Sequence, residues 1–375
     1  MISDVATELH NKLILDGTKI AWHQDRIAAW QRGERFAPIT IDMALTRACQ
    51  YACGFCYSKI QENERKAFTR ETIINFIDDA AEVGVKGISL VSDGESTMSP
   101  HFEEMIELGG AKGISMAVGS NGYALDERRI RKILPHLTYF RFNVSAGEPK
   151  RYADIMGVKE GAYYKVMQNA RDMVRIKKEL GLKCTIGFQM VFDPRYHDQV
   201  LPFVKLGKEI GVDYSVVKHC SDDSGFLGVD YSKYKDTYET LRQAEAMSTD
   251  TYQATVKWAK IETAGVRSYE RCHGSAFLLQ ISGSGLVAPC GQMFNEKYKK
   301  YHAGNIVTER FKDIVFSDRY WAIQEYLASE DFNAKRMCGS LCLQDLPNRY
   351  LDKVKRGEII TQTPEGVAPQ HYNYI

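Results

Sequence analysis

The chain has 375 residues, 44% of them apolar, and its 49 Lys+Arg against 48 Asp+Glu leave a formal net charge of +1. That balance offers little field for a polyanion, so no nucleic-acid partner is expected, and 21 Tyr, 16 Phe and 4 Trp argue against a disordered chain. The start, MISDVATELHNKL, lacks a basic region followed by an apolar stretch, and no run of about 18 apolar residues occurs, so no membrane partner is expected and a cytoplasmic location is.

Residues 1–37 read as an N-terminal extension. From residue 38 to about 250, apolar runs alternate with amphipathic stretches, the pattern of repeated βα units around a parallel sheet. Strands are predicted at 40–46, 87–92, 114–120, 139–145, 184–192 and 214–220. Thr69 is placed to cap the first intervening helix, whose Ile73, Phe76, Ile77, Ala80 and Ala81 share one face; the fourth helix is predicted over 162–179. Six units are fewer than the eight of a closed TIM barrel, so the fold class is α/β, a partial (βα)6 TIM-like barrel with reactive groups at the strand C-terminal ends. Residues 221–231, SDDSGFLGVDY, form a break before a helix over 233–248. Residues 251–347 then read as a small C-terminal α+β domain. It holds a hairpin turning at Ser282-Gly283-Ser284-Gly285 and a polar helix over 309–328, and 348–375 follow as a surface tail.

Nine cysteines, at 49, 53, 56, 184, 220, 272, 290, 338 and 342, are odd in number and partly closely spaced, which in a reduced compartment favours metal or cluster ligation over disulfides. Cys49-x3-Cys53-x2-Cys56 follows the first strand directly. Three thiolates can hold three irons of a [4Fe–4S] cube and leave one open, whereas zinc would normally want a fourth partner.

With Phe55 before its third cysteine, this spacing resembles the signature of the radical S-adenosylmethionine (SAM) superfamily. The resemblance implies a SAM-binding [4Fe–4S] cluster on Cys49, Cys53 and Cys56, reductive cleavage of SAM to a 5′-deoxyadenosyl radical, and removal of a hydrogen atom from a substrate. It also implies an electron donor such as flavodoxin or ferredoxin. Ser92-Asp93-Gly94-Glu95 resembles the family's GGE segment, which binds the methionine amino group, with Asp93 where glycine is usual. By the same resemblance Ser120 and Asn121, Asn143 and Ser145, and Gln189 belong at further strand ends lining SAM, and Arg151 stands near where an arginine often meets its carboxylate.

Cys272-x12-Gly285-x4-Cys290, followed by Cys338-x3-Cys342, resembles the Twitch/SPASM auxiliary domain of many radical SAM enzymes, in a layout similar to 2-deoxy-scyllo-inosamine dehydrogenases. That implies a second, auxiliary [4Fe–4S] cluster on these four thiolates; a zinc knuckle is also compatible with their spacing. Cys184 reads as core. Cys220 either donates a hydrogen atom to a substrate radical or packs, and His219, with Asp222 and Asp223 close behind, either accepts a substrate proton or is structural. The resulting expectation is an oxidoreductase acting on a small polar alcohol, sugar or aminocyclitol. A ribosomal-peptide maturase or epimerase, and a non-enzymatic zinc or iron–sulfur protein, are the alternatives.

Overall fold

In the computed structural model, which describes residues 17–222, 225–263, 265–339 and 342–375, the six predicted strands are all found. Residues 1–16 of the expected extension, and Asp223, lie outside the described residues. In chain order come helix α1 (Gln24–Gln31), β1 (Thr40–Met43), α2 (Arg70–Glu82), β2 (Gly87–Leu90), α3 (Phe102–Ala111), β3 (Ser115–Ser120), α4 (Glu127–Ile133) and β4 (Leu137–Asn143). These are followed by α5 (Pro149–Met156), α6 (Gly161–Glu179), β5 (Thr185–Phe192), α7 (Val200–Ile210), β6 (Tyr214–His219), α8 (Tyr238–Glu245) and β7 (Gln253–Val256). The last part of the chain supplies β8 (Leu278–Ile281), β9 (Leu286–Ala288), β10 (Gly304–Asn305), α9 (Phe311–Phe316), α10 (Asp318–Ala328) and α11 (Asp345–Lys355). Among the described residues no helix is long and apolar enough to cross a membrane.

The contacts divide into two units, one of Cys49–Tyr57 and Val118–Gly265, the other of residues 17–48, Ser58–Ala117 and Val266–Ile375. In the first, β4, β5, β6 and β7 pair in parallel, with Asn143 opposite Gln189 and Phe192 opposite His219. Phe140, Phe142, Phe188 and Phe192 are fully buried there, each side chain contributing about 1.5–3 kcal/mol on leaving water. In the second, β1 lies in parallel between β2 and β8, so the hairpin β8–β9 extends the strand ladder of the first βα unit. Helix α2 is capped as expected: the Thr72 N–H donates to Thr69 Oγ1 at 3.1 Å, and Ile73, Phe76, Ile77 and Ala80 are buried. β3 carries the chain from one unit into the other.

Several boundaries differ from the expectation, each for a local reason. β1 and β2 end earlier because the backbone leaves the ladder for other partners: the Leu45 N–H donates to Ser96 Oγ and the Val91 N–H to the Ser89 carbonyl. The helix expected over 309–328 breaks at Ser317, whose hydroxyl accepts from the Tyr320 N–H at 3.1 Å and starts α10 afresh. The helix expected over 233–248 opens as a 3-10 segment, Tyr231–Thr237. The expected surface tail is instead built in. Pro347 sits in the first turn of α11, where its missing N–H costs nothing, and Asn348 and Leu351 are buried. Further on, the Asn373 carbonyl accepts from Thr40 Oγ1 at 2.7 Å and the Tyr372 ring stacks on His23 with centroids 5.3 Å apart.

That docking carries a pH dependence. Burial holds the His23 pKa below the usual histidine value, a hydrogen bond to the Tyr372 carbonyl opposing it. The unfolded chain therefore binds this proton more readily, and stability present above about pH 6.5 falls as pH drops toward the folded value. Thermal unfolding at pH 7.5 and 5.5 should show the loss, and His23→Gln should flatten it; an unchanged slope in the variant would dismiss the assignment.

Candidate functional site

In the first unit, the loop carrying Cys49, Cys53 and Cys56 is seated on the C-terminal end of α5, a helix the sequence reading did not anticipate. The Gly54 N–H donates to the Ile155 carbonyl at 3.0 Å, satisfying one of the acceptors that a helix C-terminus leaves open. Gly157 closes α5 with φ +64°, and a Cβ there would press on the Ala52 carbonyl, so glycine serves both the left-handed cap and the close approach. Tyr51 and Tyr152 hydroxyls meet at 3.1 Å. The helix was legible after all in Pro149 at its first position and Gly157 just past its end. Cys49 is exposed and Cys53 and Cys56 half-buried, as ligands facing an added group need to be. Phe55 is half-buried between them.

Asn121, expected to touch SAM, faces this loop. Its Oδ1 accepts from Gln50 Nε2 at 3.1 Å and from the Tyr123 N–H at 3.0 Å, leaving Nδ2 toward Cys49 Sγ at 3.9 Å. Ser120 Oγ accepts from the Gly122 N–H. Asn143 and Gln189 are brought together across β4 and β5, Gln189 Nε2 donating to Asn143 Oδ1 at 3.2 Å. Ser145 is fully buried and accepts from the Val191 N–H, holding the chain beyond β4 against β5. Arg151 is paired with Asp198 at the surface through two 2.8 Å bonds.

At the end of β6, His219 and Cys220 are both buried. His219 Nε2 lies 3.3 Å from Ser221 Oγ. Burial, then the Asp193 and Asp222 carboxylates, pushes the Cys220 thiol up to about 12, so it remains S–H at neutral pH. Asp222 accepts from the Leu227 and Val229 N–H groups and shapes the loop behind. Cys184 is buried, as expected of a core thiol.

In the second unit, Ser92–Glu95 follows β2. A Cβ on Gly94 would run into the Thr46 carbonyl, so only glycine fits, and the Glu95 N–H donates to the Ala48 carbonyl at 2.9 Å. Glu95 Oε1 accepts from the Thr97 N–H and hydroxyl. Asp93 turns inward. Its Oδ1 accepts from the Gly283 N–H in the hairpin turn at 2.7 Å, and Oδ2 lies 3.3 Å from Arg47 Nε. Burial raises the Asp93 pKa, and these two partners oppose the shift. The extra carboxylate thus ties β2 to the β8–β9 turn.

The same unit gathers the four C-terminal cysteines. The thiols of Cys272, Cys290 and Cys342 act on that of Cys338 electrostatically, and Cys272 and Cys342 act on Cys290. Burial comes first, then these neighbours, raising Cys290 to about 12 and Cys338 further. Among the described residues no three His, Cys, Asp or Glu side chains converge as a single metal ion would require. An all-sulfur set suits an iron–sulfur cluster and a zinc ion alike. Residues the sequence reading missed surround it. Arg267, Tyr269 and Asp345 are buried together, and burial, which works against the Arg267 charge, is outweighed by Cys342, Tyr269, Asp345 and Cys338. No spacing rule marks them; they lie up to 78 positions apart, from Arg267 to Asp345.

Residues 43–206 match the radical SAM superfamily, and residues 272–343 match the SPASM iron–sulfur cluster-binding domain. The chain thus carries a radical SAM region followed by a SPASM domain. Its cofactors are a SAM-binding [4Fe–4S] cluster, SAM, and an auxiliary iron–sulfur cluster in its SPASM region. This radical SAM chain is 19% identical over 295 residues to the tungsten-containing aldehyde ferredoxin oxidoreductase cofactor-modifying protein of Pyrococcus furiosus, covering 74% of this chain and 81% of that protein. With the probable GTP 3′,8-cyclase of Saccharolobus islandicus it shares 22% identity over 174 residues, about half of that relative's length. In fold it is similar to Streptococcus suis SuiB bound to precursor peptide SuiA, with TM-score 0.61, 16% identity, and 80% of this chain and 70% of that one covered. It is similar also to anSMEcpe with bound AdoMet and Cp18Cys peptide, with TM-score 0.58, 15% identity, and 90% and 94% covered. At these identities the structures show the fold, a partial barrel with a C-terminal hairpin and helices, as expected from the sequence.

Proposed function

We propose that this radical SAM SPASM enzyme is a cytoplasmic oxidoreductase that removes two electrons from a small polar substrate at a carbinol carbon. Cys49, Cys53 and Cys56 hold the SAM-binding cluster, and Cys272, Cys290, Cys338 and Cys342 the auxiliary one. When bound, these groups supply a hydrogen-abstracting radical from SAM and a site for the electron the substrate radical gives up. The backbone of Ser92, Gly94 and Glu95 receives the SAM amino group, and Ser120, Asn143 and Gln189 contribute polar contacts. Asn121 braces the cluster loop at Cys49. His219 takes the hydroxyl proton as the carbonyl forms, so hydrogen atom, electron and proton all leave the substrate. Flavodoxin or ferredoxin supplies the electron that starts each turnover.

The observation that carries this reading is the grouping of four cysteines in one unit, enough to saturate a cluster and leave it free for electron transfer rather than substrate ligation. A peptide substrate stands second, because the fold relatives SuiB and anSMEcpe are seen with peptides bound. The test is anaerobic turnover with SAM and reduced flavodoxin against panels of polyols, aminocyclitols and short peptides. A product two hydrogens lighter than a polyol or aminocyclitol supports the proposal; a product of unchanged mass, or oxidation of peptides only, rejects it. Under oxidation Cys220→Ala should keep turnover within a few-fold, as read by product formed per 5′-deoxyadenosine. Its loss with 5′-deoxyadenosine retained would point to hydrogen return by Cys220 and epimerisation.

A further inference from the structure

Asn348 lies in α11, beyond the last of the C-terminal cysteines, and its amide orientation is fixed by its neighbours. Oδ1 accepts from the His273 and Gly274 N–H groups, both at 2.7 Å, so Nδ2 is the atom facing Cys272 Sγ at 3.4 Å. The side chain is buried, and its donor has been aimed at a sulfur by two backbone bonds that admit no flip. Across the same group, Arg267 is buried with its guanidinium bonded to the Gly339 carbonyl, next to Cys338. Asp345 is buried between two guanidiniums: its Oδ1 lies 3.5 Å from Arg267 Nη1 and its Oδ2 3.1 Å from Arg349 Nη2. Arg267 and Asp345 are buried and Arg349 is half-buried, so two cations face one carboxylate here. Tyr269 completes it, its hydroxyl 3.1 Å from Asp345 Oδ1 and 3.8 Å from Cys342 Sγ.

We propose that Asn348 and Arg267 are positioning residues that raise the reduction potential of the auxiliary cluster, making it the electron acceptor of the reaction. This rests on the reading above that the four cysteines ligate that cluster. Adding one electron to a four-thiolate cluster adds a negative charge spread partly over the sulfurs. An N–H pointed at a ligand sulfur, and a guanidinium held out of water beside two others, stabilise that added charge more than the oxidised state. The effect needs desolvation, because a solvated cation would be screened; burial of both side chains supplies it. The alternative role for Asn348 is only to tie His273 and Gly274 to α11, and an aspartate at the same position would do that equally well.

The experiment uses the full-length chain with Cys49, Cys53 and Cys56 changed to Ala, reconstituted anaerobically so that only the auxiliary cluster remains, and reads its midpoint potential by EPR during a mediated titration. Asn348→Asp keeps the backbone acceptor but turns the donor into a charged oxygen, so the neutral Asn348→Ser must shift the potential in the same direction for the lost donor to be credited. Arg267→Gln removes the charge, and Arg267→Lys keeps it. Asn348→Asp and Arg267→Gln should raise the oxidised-to-reduced ratio at fixed potential about tenfold or more, which is ~59 mV downward for one electron, while Arg267→Lys stays close to the parent. A parent without iron would overturn the ligand assignment and this inference with it. A parent with about four irons whose potential neither Asn348→Asp nor Arg267→Gln lowers would overturn the inference alone, as would equal shifts in the Gln and Lys variants. Should Asn348→Asp lose its cluster, Asn348→Ser and the Arg267 pair decide on the same terms.

Discussion

Replacing Cys49, Cys53 and Cys56 together by alanine is expected to halve the iron content, from about eight to about four atoms per chain, and to abolish 5′-deoxyadenosine formation. The loop presents these thiols without a fourth ligand close by in sequence, so no second donor can keep a cluster in place once they are gone. The remaining irons should stay, because the four C-terminal cysteines belong to the other unit, where Asn348 of α11 faces Cys272. Iron and sulfide analysis with chromatography of the nucleoside products reads both halves of this result. Loss of all iron, or a variant that still cleaves SAM reductively, would reject the division of the cysteines into two sites.

Gly94→Ala is expected to destabilise the fold by about 2–3 kcal/mol and to weaken SAM binding at least tenfold. The added methyl meets the Thr46 carbonyl, which belongs to backbone and cannot rotate away. Thr46 is confined from the other side too, since a Cβ on Gly283 would meet the same carbonyl. Relief must therefore come from moving Ser92–Glu95, the segment assigned to the SAM amino group. Gly161→Ala is the matched control. A Cβ there has open space at the start of α6, so the change should stay within about 0.5 kcal/mol. Chemical denaturation of both variants and equilibrium SAM binding would check the pair. Equal stabilities would show that the Thr46 contact relaxes freely.

Much of this was readable before any coordinates. Alternating apolar and amphipathic stretches located six strands to within a few residues, and Thr69 marked the start of α2, because helix capping and strand burial are local effects written in neighbouring residues. The cysteine spacings were readable for the same reason. What escaped depended on distant partners. Four-residue β7 is too short to show a period and forms because β6 offers it a ladder edge. Nothing in SDGE reveals that the Gly283 N–H, 190 positions away, will claim the Asp93 carboxylate. Residues 348–375 looked like a surface tail, because Asn348 and Tyr372 acquire meaning only from His273, Gly274 and His23.

The sequence by itself determined that this is an α/β chain with one group of three thiols and another of four, and so the class of chemistry it carries out. Ligand identity and short spacing are covalent properties that folding cannot alter. Only the tertiary structure decided that the Asp93 carboxylate faces inward, and that an amide and a guanidinium sit desolvated beside the second group of sulfurs. Hydrogen-bond direction and local dielectric arise from groups brought together across the chain, and they govern how readily a cluster accepts an electron.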